Sequence, residues 1–262
     1  MNIRDRLAEL SERGFCVLNR HFPAPLIDAC RVAFWPVLLD YLNDKEPNRG
    51  PHRHFIPMPF YRPCFAPEFF FDPEVLDIVR GAMSKRIASD QWGCDTPLRG
   101  SEFQTAHADY QRPLFTELPD LFLPPYMLVV SFGLVRITQA LGPIEIAAGT
   151  HKMPREEALR MVQSGEIEMQ PVPLELGDVL IRHPWALHRG TPNMTDTPRA
   201  LVTIRYVRDW YVDNSREVNA IPQAVWQSLT PEQQSVMRFP IENWPDRWSK
   251  RQIAQSKLRA IL

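Results

Sequence analysis

Between residues 86 and 210 the chain breaks into seven short β-like runs, RIASDQW, SEFQTAHAD, YMLVVSFGLV, GPIEIAA, EMQPVPLEL, DVLIRH and ALVTIRYV, separated by turn residues. Short strands at such regular spacing predict a sandwich or barrel. One helical pattern, PREEALRMVQSG, interrupts them after residue 153. Proline supports the same reading: 26 prolines stand against 11 glycines and are spread along the chain, where they rigidify loops and end strands.

The flanks are different. Residues 3–12 read as a helix, GFCVLN as a short strand, and APLIDACRVAFWPVLLDYLN as an amphipathic helix carrying Pro36, with Val32 and Leu39 on its packed face. Residues 44–71, rich in proline and aromatics, read as an irregular covering segment in which HRHFIPMPFYRP and Phe69, Phe70 and Phe71 are candidates for a lid or a barrel plug. In DPEVLDIVRGAMS, Asp72 is the expected N-cap and Pro73 the first helical residue. Past residue 210, TPEQQSVMRF starts on the cap Thr230, and DRWSKRQIAQSKLRAIL reads as a basic terminal helix. With no internal repeat or low-complexity linker, the expectation is one domain over 1–262: helical support and covering segment over 1–85, β core over 86–210, and C-terminal helices over 211–262. The fold class expected is mainly β with packed helices.

Thirty basic residues against 31 acidic ones leave a net charge of -1, too little field to hold nucleic acid or an anionic membrane. A small-molecule substrate becomes the expected partner. Cys16, Cys30, Cys64 and Cys94 form no C-x-x-C pair, which disfavours structural zinc and a disulfide framework. The N-terminus lacks the apolar run of a secretory signal, and no stretch of about 18 apolar residues occurs, so a cytoplasmic, thiol-reduced protein is expected.

Chemistry enters at TAHADYQRP. In an extended segment His107 and Asp109 point to one face and can converge on one ion. Alone the pair is weak evidence: 7 His and 15 Asp in 262 residues give roughly 0.4 such pairs by chance, and the acid can simply accept the imidazole N–H. Downstream, ELGDVLIRHPWALHRGTPNMTDTPRALVTIRYV offers His183 and His188 as a third ligand. Two imidazoles and one carboxylate on one face of an octahedral ion leave three positions open, the arrangement of non-haem Fe(II) oxygenases. A bidentate 2-oxo acid takes two of these and dioxygen the third. A buried arginine is then needed to hold the far carboxylate of 2-oxoglutarate by a charge-assisted fork, and Arg199 is the candidate.

The combined pattern of H-x-D, GPIEIAAGTH at 142–151 and HRGTPNMTDTPR at 188–199 resembles the phytanoyl-CoA dioxygenase family of Fe(II)/2-oxoglutarate oxygenases, over about residues 90–210. The resemblance implies a double-stranded β-helix, a cupin-like jelly roll. It also implies iron held by His107, Asp109 and His188, because the family spaces its distal histidine and its 2-oxoglutarate arginine as H-x10-R, which His188 and Arg199 match and His183 does not. GSEFQTAHAD looks like the subfamily with G-S-x-x-Q before the ligand pair, which brings Gln104 near the metal or the 2-oxoglutarate. The chain departs from the family in its turns, with Leu141-Gly142 for the usual N-G and Ala148-Gly149-Thr150-His151 for P-G-S-H. Halogenating relatives lack the carboxylate; Asp109 implies hydroxylation or a related oxidation (desaturation, epimerisation and ketone formation are compatible with the same triad) of a small organic substrate, in secondary metabolism, with release of succinate and carbon dioxide. The alternative is a silent jelly roll that binds a ligand or scaffolds a complex. His52, His54 and His151 are expected at turns, the surface or a pocket rim, and Tyr110, Phe115, Trp185, Trp210 and Tyr211 in the core or lining the substrate pocket. Oligomeric state is not legible.

Overall fold

The computed structural model describes residues 2–109, 123–212 and 220–242. Tyr110, Phe115 and the terminal segment DRWSKRQIAQSKLRAIL lie outside these residues. In chain order the elements are α1 (Ile3–Arg13), β1 (Phe15–Leu18), α2 (Ala24–Asp44), β2 (Arg53–Pro57), α3 (Pro67–Phe71), α4 (Pro73–Ala82), β3 (Ile87–Pro97), β4 (Met127–Gly133), β5 (Ile144–Ala147), α5 (Arg155–Ser164), β6 (Met169–Val172), β7 (Val179–Arg182), β8 (His188–Gly190) and β9 (Leu201–Arg208). Two short helices, α6 (Gln223–Ser228) and α7 (Pro231–Val236), follow.

Local chemistry sets the helix ends. Asn2 and Asp5 form a reciprocal capping box at the start of α1, which stops at Gly14 with φ +83°. Asp72 accepts from the Val75 N–H and Pro73 opens α4, as the sequence predicts. Thr230 caps α7 in the same way. Helix α2 runs through Pro36 and buries Ile27, Cys30, Phe34 and Leu38. Val32 and Leu39, expected on that face, are exposed instead: they project from the opposite side of a helix that is apolar nearly all round.

Strands β1-β7-β4-β9-β3-β2 form a fully antiparallel six-stranded sheet, and β6-β5-β8 a smaller one. The two close into a jelly roll with α2, α3 and α4 packed on the outer side of the larger sheet, while α5 packs on the smaller one. The outer face of the larger sheet carries Trp92, Leu128, Val130, Phe132, Val202 and Ile204, all buried in the main core with α2, α3 and α4. The residues between them point inward: Gln91 and Asp95 on β3, Ser131 on β4, Thr203 and Arg205 on β9. This two-residue period gives one sheet a dry face and a polar face.

Three sequence readings are corrected here. Both edge strands of the large sheet, β1 and β2, come from before residue 86; β2 falls within the supposed irregular covering segment, its alternation masked by flanking prolines. Phe69 and Phe70 form neither lid nor plug: they are buried on the outer face, Phe69 stacked on Phe132 with centroids 4.6 Å apart. SEFQTAHAD is not a strand; within it only His107 makes a β-bridge, to His188, because its neighbour β8 is three residues long and offers no ladder to extend.

His21 joins the N-terminal part to α4 through an Nε2–Asp72 Oδ1 contact of 2.8 Å. That hydrogen bond raises the His21 pKa against the opposing effect of burial. A histidine whose folded pKa lies above its unfolded value stabilises most fully below the unfolded pKa, about 6.5, and loses this contribution as pH rises through the folded value. Urea midpoints measured between about pH 5.5 and pH 9 are expected to fall in the wild type and to lose this component of the slope in His21→Gln.

Candidate active site

His107 and His188 face each other across the cavity mouth, locked by paired backbone hydrogen bonds, His107 N to His188 O at 2.9 Å and His188 N to His107 O at 2.8 Å. Their ring centroids are 4.6 Å apart. Each Nδ1 sits against the carbonyl two residues upstream, Thr105 O at 2.8 Å and Ala186 O at 2.9 Å. With Nδ1–H donating there, both Nε2 lone pairs are left for a ligand. Asp109 completes the group: its Oδ1 is 3.6 Å from His188 Nε2 and its Oδ2 2.8 Å from an Arg182 guanidinium nitrogen. One donor atom from each of His107, Asp109 and His188 lies within 4.8 Å of the others.

The electrostatics suit a cation. Burial favours a neutral Asp109, but Arg182 and His188 outweigh it and hold the carboxyl well below the usual carboxylate range. Burial, reinforced by Arg182, lowers the His188 pKa and keeps that imidazole neutral. Two neutral imidazoles and a carboxylate form the donor set that non-haem Fe(II) takes with three positions free, so the residues present fit such an ion.

Behind the triad lies a cavity of about 550 Å³, lined by His107, Asp109, His188 and Arg199 and by the polar face of the large sheet. Arg199 is 1% exposed, donates to Gly142 O at 2.5 Å and is ion-paired with Asp95. Arg205 makes a forked pair with Asp90, at 2.6 and 2.8 Å. Each of Arg182, Arg199 and Arg205 thus has its own aspartate, as a low-dielectric interior requires.

Gln104 binds β8 directly. Its N–H donates to Gly190 O at 3.0 Å, and its Oε1 accepts from Gly190 N at 2.9 Å. A β-carbon at Gly190 would lie 2.5 Å from the Arg53 guanidinium and 2.8 Å from Gln104 Oε1. Gly190→Ala is therefore expected to push the Gln104 segment from β8 and weaken divalent-metal binding at least about tenfold, read by calorimetric titration with Zn(II).

His183 stands apart from the triad. Its Nδ1 accepts from Trp185 N, its ring packs on His151 at 5.2 Å, and burial followed by His151 lowers its pKa to about 3. His151 is buried and bonded to Ser11 O, and His54 is buried against Tyr41. Trp185, Tyr126 and Tyr211 cluster near the start of β4. The four cysteines are buried free thiols; burial pushes Cys16, Cys64 and Cys94 up to about 12, so they serve packing. Among the described residues no helix is long and apolar enough to cross a membrane.

Sequence reasoning did not single out Arg182, Asp95, Asp90 or Arg205. A signal existed for two of them: in β3 and β9, Asp95 and Arg205 occupy the inward register among apolar neighbours.

A jelly roll whose mouth gathers two histidines and an aspartate, with a buried arginine in the cavity behind, defines a non-haem Fe(II)/2-oxoglutarate-dependent dioxygenase. The profile of the phytanoyl-CoA dioxygenase family matches residues 11–201, and the chain belongs to that family. Among solved structures it is similar to the carbocyclase SnoK of nogalamycin biosynthesis, at 15% identity and TM-score 0.63 over 79% of this chain and 86% of that one. The epimerase SnoN of the same biosynthesis gives 15% and 0.60 over 79% and 82%. HygX from Streptomyces hygroscopicus, solved with nickel, 2-oxoglutarate and hygromycin B, gives 18% and 0.57 over 80% and 88%. At these identities the likeness is one of fold.

Proposed function

We propose that the chain is a single oxygenase domain that hydroxylates a small organic substrate of secondary metabolism, with His107, Asp109 and His188 as its iron ligands. The observation that carries the reading is the convergence of these three donors on a cavity that also holds Arg199. Its relatives of like fold include enzymes that act in nogalamycin biosynthesis or bind hygromycin B, which supports a natural-product substrate. The reduced, buried cysteines accord with a cytoplasmic location.

When bound, Fe(II) and 2-oxoglutarate supply a two-electron oxidation of an unactivated carbon by dioxygen, coupled to decarboxylation to succinate. The chain's own residues position this chemistry. Arg182 takes Asp109 Oδ2 and leaves Oδ1 turned toward His188, so the carboxylate is aimed and ionised before any ligand arrives. The Thr105 and Ala186 carbonyls fix both imidazole tautomers. Arg199, held in place by the Gly142 carbonyl and Asp95, is the cation that would pair with the far carboxylate of 2-oxoglutarate, and Gln104 keeps the segment before His107 against β8. The carboxylate ligand occupies the position a halide would need, which argues against halogenation and leaves hydroxylation as the reading preferred among the oxidations the same ligand set allows.

The test is anaerobic titration of the apo-protein with Fe(II) and then 2-oxoglutarate, following the weak visible charge-transfer band of the chelate. A band that needs both components supports the reading. Folded, iron-loaded protein without a band refutes it and leaves a binding barrel or another metal chemistry.

A further inference from the structure

A second cavity, of about 330 Å³, opens beside the first and shares Arg49, Gln104 and His107 with it. Its wall includes Arg53 and Phe103. Arg53 projects from β2, is 2% exposed, and uses one guanidinium nitrogen to donate to Glu102 O and Thr191 O, each at 2.7 Å. The other terminal nitrogen, NH1, is buried without a hydrogen-bond partner. Among the described residues no carboxylate lies within ion-pair distance of Arg53 or Arg49, although Glu102 lines the same cavity with an exposed side chain. The contrast with the first cavity decides the matter. There Arg182, Arg199 and Arg205 are each matched by an aspartate, whereas here neither guanidinium has a direct ion pair among the described residues: the buried Arg53 feels Asp95 only at longer range, and Arg49 lies over the Phe55 ring at 5.1 Å. A buried cation without a directly paired counter-charge, and with one nitrogen unbonded, is costly, and an oxyanion is a group that reduces the cost.

Resting on the oxygenase reading, we infer that this second cavity is a substrate subsite for an oxyanion, a carboxylate or a phosphate, held by Arg53 from below and Arg49 from the rim. Phe103, 55% exposed and stacked under Arg189 at 4.6 Å, gives the subsite an apolar wall for the carbon skeleton next to that anion. The substrate is accordingly an acid. Its anionic end lies in the cavity that shares His107 with the first but not Arg182, and its reacting carbon reaches past His107 into the first cavity.

The experiment uses the Fe(II)-loaded protein, held anaerobic and saturated with 2-oxoglutarate so that Arg199 is occupied. Inorganic phosphate and isobutyrate are titrated separately, and paramagnetic broadening of their phosphorus and methyl proton resonances is followed against a Zn(II)-loaded control. Saturable broadening of at least one probe is expected, with affinity falling about tenfold in Arg49→Gln and binding lost in Arg53→Met. Whichever probe binds identifies the anion. Arg49 is exposed and its side chain is not part of the β8 seam, so Arg49→Gln decides the outcome if Arg53→Met does not fold. No saturable binding of either probe, or binding that Arg49→Gln leaves unchanged, overturns the subsite. Failure of 2-oxoglutarate to bind the iron-loaded protein would instead show in the preceding titration, and overturns the oxygenase reading itself.

Discussion

Arg199→Ala is expected to abolish 2-oxoglutarate binding and to destabilise the fold at the same time. The first effect follows from losing the only cavity arginine placed as the H-x10-R spacing requires. The second follows from Asp95, whose ion-pair partner is Arg199: removing the buried guanidinium leaves the half-buried carboxylate without its closest counter-charge, which lowers stability, though by less than the loss of one member of a fully buried pair. The two effects can be separated. Arg199→Lys keeps the charge beside Asp95 but not the planar fork, so its urea midpoint should recover most of the loss while 2-oxoglutarate affinity, read by the visible band, stays at least about tenfold weaker than wild type. The double variant Arg199→Ala/Asp95→Ala should regain stability without regaining the band. Recovery of binding in that double variant would show that Arg199 serves only to neutralise Asp95.

Asp109→Ala should reduce Fe(II) affinity by more than about 100-fold, beyond the range associated with losing an outer partner of a ligand, and end turnover. Here too the surroundings contribute. The ion-pair partner of Arg182 is Asp109 at 2.8 Å, so the variant leaves a buried guanidinium next to the empty ligand position, where it repels the metal. Arg182→Met tests this coupling from the other side. It keeps all three ligands, so iron should still bind, but Asp109 loses the cation that holds it ionised and aimed, and affinity should fall by about 10- to 100-fold. Calorimetric titrations of Zn(II) into the two variants and the wild type give the ordering directly; equal losses in both would contradict a positioning role for Arg182.

The grouping of His107, Asp109 and His188 could be read in part from the residues, since His107 and Asp109 stand at i and i+2, and in part from the family resemblance, whose fixed interval between a histidine and an arginine picked His188 over His183. The residues that aim and neutralise them were not legible. Arg182 meets Asp109 across 73 positions of chain and Asp95 meets Arg199 across 104, and nothing in DVLIRH or QWGCDTP announces a partner that distant. The β core was visible from turn spacing, yet β2 was hidden by its prolines, and SEFQTAHAD looked like a strand because alternation cannot reveal that its neighbour is three residues long. The lid suggested by three consecutive phenylalanines failed for a related reason. A run of aromatics states that burial is wanted but not on which side of a sheet, and here the helix α3 turns Phe69 and Phe70 to the outer core.

The six-stranded sheet separates two kinds of change. Along β3, β4 and β9 every second residue is tied into aromatic and aliphatic packing beneath the helices, and the residues between look into the cavity. Drift at Gln91, Ser131 or Thr203 alters what the chamber admits without disturbing the packing that keeps the chamber standing. A lineage built on this wall can therefore change its substrates by single steps, each tested in an already folded protein, and the arginine–aspartate pairs limit those steps, since neither partner can change without stranding the other.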